Sequence, residues 1–248
     1  MIITQEDELQ GMKAIGRIVA QALQTMRHAL EPGMTTLELD EIGRAFLERE
    51  GALSAPRSEY DFPGATCISV NEEVAHGIPG PRVLKHGDLV NIDVSASKGG
   101  YFSDTGASFV MGTNPHLEKL CRDGRRAMQL GINQVRAEAP LAAIGTEIGL
   151  FAAKNGYTLI RNLASHGIGR ALHEEPKEIS TWPDRSERRR IKKGLVLTVE
   201  PFLSKGAEWA DQGKDGWTLY AAPRAFTVQY EHTVVATERG SVILTLPN

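Results

Sequence analysis

The first fifty residues carry apolar side chains at helical spacing, which predicts two amphipathic helices. The first helix is expected from about Thr4 to Leu30, where Glu31-Pro32-Gly33 ends it. The second is expected to begin with Thr36 as its N-cap and to end near Gly51. Each helix has one apolar stripe, so each should bury that stripe against another layer of the fold.

The pattern then changes to short apolar runs broken by Pro and Gly. Proline and small residues dominate positions 54–64, which predicts a loop. Thr66–Val70 is apolar and β-branched, which predicts a short strand. Positions 71–79, which contain His76, are expected to be a turn segment.

Alternating apolar residues between Leu89 and Met111 predict a β-hairpin that turns at Lys98-Gly99-Gly100. If Lys98-Gly99 is the two-residue loop, Asp93 pairs directly with Asp104, with Cβ atoms about 4.5–5.5 Å apart. Two carboxylates at that distance in a half-buried sheet repel unless one is protonated or both hold a metal ion. The alternative is a shifted register in which both aspartates are solvated at the strand ends.

Two further apolar runs each contain one glutamate. Leu195–Leu203 predicts a strand with Glu200 inside it, and Ala225–Ala236 predicts another with Glu231 inside it. An ionised carboxylate in such a run is unfavourable unless it is paired or coordinates a cation. Metal binding is therefore the favoured interpretation of these two residues.

Two histidines complete the candidate chemistry. His166 lies among the small residues of Arg161–Arg170, and His173 follows it. Neither has the spacing of a helical zinc motif, so an ordinary polar role stays open for both. Taken together, four carboxylates and one imidazole suit two divalent ions, Mn, Co, Fe or Zn, bridged by carboxylates. Such a pair, ~3.5–4 Å apart, activates a water for hydrolysis.

The second half of the chain repeats the order of elements in the first. A shift of 108 residues superimposes five identical residues within a 17-residue window without a gap, and chance similarity between amphipathic helices is the alternative; the matches are Gly16, Arg17, Gln21, Ala29 and Pro32 with Gly124, Arg125, Gln129, Ala137 and Pro140. A duplicated helix-helix-strand unit predicts an α+β layer fold with helices on one face. No change in composition marks a linker.

Composition narrows the class of protein. With 248 residues, 41% hydrophobic, the chain can bury a sizeable core. A net charge of −3 predicts no nucleic-acid or membrane partner, and the basic run between Arg185 and Lys193 is interpreted as a solvated helix face or loop. The two cysteines, the lack of a signal pattern and the lack of a long apolar stretch lead us to expect a cytoplasmic protein.

Seven motifs in order resemble those of the type I methionine aminopeptidases; they are HGIP at His76, VNIDV at Asp93, FSDTG at Asp104, HGIGR at His166, HE at His173, VEP at Glu200 and QYEHT at Glu231. The resemblance implies the pita-bread fold: a duplicated unit around a curved antiparallel sheet, with helices on its outer face. It also implies a single catalytic domain over residues 1–248, with halves of about 1–112 and 113–248.

The same resemblance implies roles for individual residues. It makes Asp93, Asp104, His166, Glu200 and Glu231 the ligands of two divalent metal ions. His76 and His173 would touch the substrate, and Glu200 would also move the water proton. The implied substrates and partners are the N-termini of nascent polypeptides, met at the ribosome.

A methionine pocket is implied for Phe62, Cys67, Leu172 and Trp217. Leu172 replaces an aromatic residue common in the family and would widen one side of this pocket, and Ser165 replaces the usual glycine before His166. Three alternatives stay open: an aminopeptidase P or prolidase relative that cleaves next to proline, a non-catalytic pita-bread binding protein, and a metal-free scaffold with solvated acids.

Overall fold

The computed structural model describes residues 1–247, in which long helices cover antiparallel sheets. The helices are Glu6–Ala29 (α1), Thr36–Arg49 (α2), Ala55–Tyr60 (α3), Pro115–Ile132 (α4) and Ala142–Lys154 (α5). The strands are Leu53–Ser54 (β1), Cys67–Val70 (β2), Glu73–Ala75 (β3), Leu89–Lys98 (β4), Tyr101–Val110 (β5), Thr158–Leu159 (β6), Ser165–Gly167 (β7), Glu174–Ile179 (β8), Val196–Val199 (β9), Phe202–Ser204 (β10), Trp209–Gln212 (β11), Leu219–Ala222 (β12), Thr227–Gln229 (β13), His232–Ala236 (β14) and Ser241–Ile243 (β15).

The strands form two larger and two smaller sheets. One larger sheet has the order β1-β4-β2, with β5 also paired to β4, and the other has the order β15-β14-β9-β7-β8. The smaller sheets have the orders β13-β10-β6 and β11-β12-β3. No helix within residues 1–247 combines the length and apolar character that a membrane crossing needs.

The two predicted N-terminal helices are present, but the cap of α2 is one residue earlier than expected. The Thr35 hydroxyl accepts the Glu38 N–H at 3.1 Å, and the Glu38 carboxylate accepts the Thr35 N–H at 2.7 Å. This reciprocal pair is a capping box. Thr36 is instead the first helical residue, and its hydroxyl donates to the Gly80 carbonyl at 3.1 Å.

Two segments that were predicted to be irregular contain regular structure. Helix α3 lies inside the predicted loop 54–64, and Asp61 ends it in a left-handed conformation with φ 56°. Strand β3 lies inside the predicted turn segment 71–79 and pairs with β12. Both elements are shorter than seven residues, so their apolar periodicity was too brief to detect.

The central hairpin exists, but its predicted register is wrong. Its two-residue loop is Gly99-Gly100, with Lys98 paired to Tyr101. Asp93 therefore pairs with Gly106, and Asp104 pairs with Ser95. Both glycines have positive φ, 60° and 78°, which a two-residue hairpin turn of this kind requires and which Lys98 would adopt only with strain. The register moves by two residues, so both aspartates keep the same face and become diagonal neighbours.

Within residues 1–247, the two largest of four hydrophobic cores lie under the helices. One contains apolar residues of α1, α2, β2 and β4. The other contains residues of α4, α5, β9 and β14. Strand β5 joins the two: the Glu231 N–H donates to the Gly106 carbonyl at 2.9 Å, and the Asp104 N–H donates to the Thr233 hydroxyl at 3.0 Å. The position of the boundary between halves stays a prediction.

The repeated glycines Gly16 and Gly124 are both buried in their helices. A Cβ atom at Gly16 would overlap the Leu244 carbonyl, and one at Gly124 would lie 2.5 Å from a Val228 methyl carbon. We expect Gly16→Ala to lower the free energy of unfolding by ~1–3 kcal/mol. Alanine favours helices, but its methyl group would overlap the backbone carbonyl of Leu244, which cannot move aside as a flexible side chain could. Chemical denaturation measures this; Arg17→Ala, at an exposed position, is the control. An unchanged or raised stability for Gly16→Ala would contradict the packing described.

Candidate metal centre and active site

Five side chains from different segments of the chain converge on one place inside the fold. Asp93 is on β4, Asp104 on β5 and His166 on β7. Glu200 follows β9, and Glu231 precedes β14. The predicted strands around both glutamates are each interrupted at that residue, so neither glutamate is inside a strand as expected. Because of these breaks, the glutamate side chains need not follow the alternation of faces along a regular strand.

Measured distances show how closely these groups lie. Asp104, His166 and Glu231 each offer one ligand atom, and these three atoms lie within 4.8 Å of one another. The His166 Nε2 atom is 3.4 Å from Glu200 Oε1. Asp93 and Asp104 are diagonal neighbours on the same face of the β4–β5 hairpin. The structure thus brings together all five residues that the sequence singled out.

Neighbouring polar groups orient the glutamates. The Thr198 hydroxyl donates to Glu200 Oε1 at 2.8 Å, and the Gln229 amide donates to Glu231 Oε2 at 2.9 Å. Asn91 in turn donates to the Gln229 amide oxygen at 2.9 Å. A Cβ atom at position 106 would collide with Gln229, which explains the glycine of the FSDTG motif. Each glutamate therefore has one oxygen held and one free to bind a cation.

Ser165, which precedes His166 on β7, has a contact of its own. Its hydroxyl accepts the Glu200 N–H at 2.9 Å, and the His166 N–H donates to Thr198 at 3.0 Å. These hydrogen bonds join β7, which carries His166, to β9 and to Glu200, which directly follows it. The Ser165 hydroxyl therefore adds a constraint on the position of Glu200.

The electrostatics of the cluster indicate a missing positive charge. Burial raises the pKa of Asp104 to about 6, and burial together with the neighbouring carboxylates raises the pKa of Asp93, Glu200 and Glu231. Within residues 1–247, Asp104 Oδ1 and Glu231 Oε1 are buried without a hydrogen-bond partner. Such atoms suit a divalent cation, which would offset the repulsion and occupy the free oxygens.

His166 is prepared to offer a lone pair. Its Nδ1 lies 3.0 Å from the Gly167 carbonyl, which requires a proton on Nδ1 and leaves Nε2 unprotonated in the neutral ring. Burial, followed by His173, lowers the pKa of His166 to about 3. The ring is therefore neutral at physiological pH, the state in which imidazole binds metals.

The two other histidines line the same cavity, which has a volume of about 660 Å³. His76 follows β3 in a left-handed conformation with φ 53°, uncommon for a residue with a side chain and frequent at functional sites. The His173 ring lies 4.1 Å from that of His166, between centroids, and its Nδ1 lies 2.6 Å from the Tyr60 hydroxyl. Sequence reasoning missed Tyr60, because it was placed in a loop without motif residues.

The four predicted pocket residues also share this cavity. Phe62, Cys67 and Leu172 are buried, and Trp217 packs edge-on against Phe62 with ring centroids 5.2 Å apart. Cys67 lies opposite Asp93 on the adjacent strand. Burial, followed by the carboxylates, raises the pKa of its thiol, so it stays neutral. The wall beside the candidate metal ligands is therefore apolar and uncharged.

Comparisons with known proteins agree with this geometry. The model of metallopeptidase family M24 matches residues 10–238, and the chain belongs to that family. Its relative methionine aminopeptidase 2 of Bacillus subtilis (strain 168) is 49% identical over 247 residues, which cover 99% of each chain. The crystal structure of methionine aminopeptidase from Rickettsia prowazekii has a TM-score of 0.94 and 34% identity, covering 99% of this chain and 100% of that one.

The predicted resemblance to methionine aminopeptidases and the predicted pita-bread fold are thereby confirmed. The prolidase from Pyrococcus furiosus, at 22% identity and a TM-score of 0.78, covers 100% of this chain and 66% of that one, and shares the fold alone. Membership of a metallopeptidase family, together with the buried Asp104, His166 and Glu231, indicates divalent-metal binding.

The raised pKa of Asp104 leads to a prediction for Asp104→Asn. Between about pH 4 and 6 the Asp104 carboxyl is protonated in the native state and ionised in the unfolded state. The free energy of unfolding of the metal-free wild type therefore falls as the pH rises through this range. In chelator at pH 7.5, we expect the variant to melt several degrees above wild type, with the gain shrinking below pH 6. With Mn²⁺ added, wild type should gain more stability than the variant. Thermal unfolding followed by circular dichroism measures both effects.

Asp211→Asn, at an exposed position on β11, is the matched control and should change neither melting temperature. If Asp104→Asn is less stable than wild type in chelator, or is stabilised by Mn²⁺ as much as wild type is, the Asp104 carboxyl is not repelled by the other carboxylates and does not bind the metal.

Proposed function

We propose that this chain is a methionyl aminopeptidase, a hydrolase that removes the N-terminal methionine from peptides and nascent proteins whose second residue is small. One observation carries the proposal: Asp104 and His166 of the buried cluster line a cavity with an apolar wall, in a chain that resembles methionine aminopeptidases over 99% of its length. The 660 Å³ cavity is large enough for a side chain and part of the following backbone.

We assign the metal ligands as Asp93, Asp104, His166, Glu200 and Glu231, holding two divalent ions of Mn, Co, Fe or Zn. When bound, such ions make water a stronger acid and polarise a carbonyl group. The number of carboxylates supports two ions, because four ionised carboxyl groups exceed the charge of one divalent cation. The mixed oxygen and nitrogen donors support this group of metals.

Three side chains are assigned to proton transfer and orientation. Glu200 accepts the proton of the attacking water, since one of its oxygens is held by Thr198 and the other is free. His173 donates to the carbonyl oxygen as negative charge develops there. His76 contacts the peptide nitrogen and holds the scissile bond in position. The location of both histidines in the cavity wall supports these roles.

The composition of the pocket supports the choice of methionine. Phe62, Cys67, Leu172 and Trp217 present no charge, and a flexible thioether fills such an irregular apolar space well. Leucine should be disfavoured mainly because its γ-branch clashes. The small second residue follows from the family resemblance, which places that residue beside His76.

This activity places the substrate among newly made polypeptides. The proposed partners are nascent N-termini at the ribosome, and the proposed location is the cytoplasm. The single catalytic domain over 1–248, with halves near 1–112 and 113–248, is likewise proposed; the two largest hydrophobic cores support it.

The assignment of His173 predicts the behaviour of His173→Ala. The variant should keep most of its metal but lose turnover by ~10²–10³, the usual contribution of one donor to a developing oxyanion. Metal content by mass spectrometry and kcat on Met-Ala-Ser measure the two properties. His116→Ala, outside the cavity on α4, is the control. Loss of metal together with activity would make His173 a ligand instead.

The pocket predicts a ranking of substrates. Met-Ala-Ser should have a much higher kcat/KM than Leu-Ala-Ser, because a branched side chain clashes, although the discrimination by an apolar pocket is limited to ~1–3 kcal/mol per methylene. Met-Phe-Ser should be poor because a bulky second residue displaces the carbonyl. Comparable kcat/KM for all three peptides would indicate a general aminopeptidase, and preference for Xaa-Pro peptides would indicate a prolidase-like activity.

A further inference from the structure

Tyr60 makes a short contact with His173 that the proposed reaction does not yet use. Its hydroxyl oxygen lies 2.6 Å from His173 Nδ1, and the two rings meet edge-on with centroids 5.7 Å apart. Both side chains line the cavity. Within residues 1–247, this is the one hydrogen bond to the His173 ring.

The direction of this bond determines the tautomer of His173. A phenol is a good donor, whereas the unprotonated nitrogen of a neutral imidazole is a good acceptor. Tyr60 is 45% exposed, and its partial burial, followed by Glu59, raises the pKa of the phenol, so the hydroxyl keeps its proton. A hydroxyl that donates to Nδ1 leaves the ring proton on Nε2. The opposite tautomer would have a lone pair on Nε2 and could not donate from that atom.

The backbone around Tyr60 is constrained on both sides. Tyr60 is the last residue of α3, whose end is set by the left-handed Asp61. Phe62, two residues on, is buried against Trp217. The His173 ring also packs against the His166 ring, with a centroid distance of 4.1 Å and an angle of 46° between the rings. The contact therefore joins two elements that are each held by other packing.

We propose that Tyr60 is a positioning residue that holds His173 as the Nε2–H tautomer, so that the imidazole offers a hydrogen-bond donor to the substrate carbonyl before the peptide binds. This inference rests on the proposed role of His173 in the aminopeptidase reaction. Without the hydroxyl, the neutral ring would divide between two tautomers and rotate more freely, and part of the enzyme would lack the donor at any moment.

The test is Tyr60→Phe, which removes the hydroxyl and keeps the ring. We expect kcat on Met-Ala-Ser to fall by about 10- to 100-fold, as for other groups that orient an active-site histidine, while KM changes by less than about twofold. In a His173→Ala background the same substitution should cause no further loss. Tyr101→Phe is the matched control and should leave kcat unchanged. It also removes one tyrosine hydroxyl, but that hydroxyl accepts a hydrogen bond from Arg170 at 3.1 Å and does not contact His173.

A second measurement reports the tautomer without relying on activity. Nitrogen-15 NMR of histidine-labelled protein in chelator, with His173→Gln to assign the resonance, should show Nδ1 unprotonated and Nε2 protonated in wild type. Tyr60→Phe should shift both resonances towards a mixture. A protonated Nδ1 in wild type, an unchanged spectrum in the variant, or an equal loss of kcat in both backgrounds would overturn the inference.

These measurements separate the inference from the proposed function. If wild-type protein loaded with Mn²⁺ cleaves none of the methionyl peptides, the aminopeptidase assignment is wrong, and the NMR spectra then decide alone whether Tyr60 sets the His173 tautomer. If wild type is active and the spectra and kcat of Tyr60→Phe match wild type, the positioning role is wrong and the aminopeptidase assignment stands.

Discussion

Repulsion among four carboxyl groups in one buried place is the constraint on which the rest of the structure depends. Asp93, Asp104, Glu200 and Glu231 lie where burial raises the pKa of each, and a protein interior tolerates such charges only when they are neutralised. Neighbouring donors satisfy one oxygen of each glutamate and leave the other free. The metal-free folded state is therefore destabilised by repulsion among these carboxylates, and binding of a divalent cation would remove that repulsion.

The two halves of the chain contribute different parts of this cluster. Both aspartates come from the first half, while His166 and both glutamates come from the second. Strand β5 brings them together, because its backbone pairs with β4 on one side and bonds to residues around Glu231 on the other. The candidate site is complete only when the two halves dock, which links metal binding to the overall fold.

Irregular backbone occurs where functional side chains are needed. Glu200 and Glu231 lie in gaps between strands, and His76 has a positive φ immediately after β3. A residue inside a regular strand must point to one face or the other, whereas a residue at a break can be directed towards a shared centre. Helix α3 contributes Tyr60, whose hydroxyl lies 2.6 Å from His173 Nδ1.

Periodicity and carboxylates inside apolar runs allowed the sequence alone to predict the long helices, the central hairpin and the four acidic residues of the cluster, whereas His166 was singled out as a ligand by its motif rather than by periodicity. These features depend on residues that are close in sequence. A run of apolar residues, or a glutamate within such a run, can therefore be interpreted without knowing which distant segments pack against it. Only the tertiary structure decided the hairpin register, the breaks at Glu200 and Glu231, and the Tyr60–His173 contact. Glycine turn geometry sets the register, and docking of distant segments creates the contact, so neither appears in the spacing of residues along the chain.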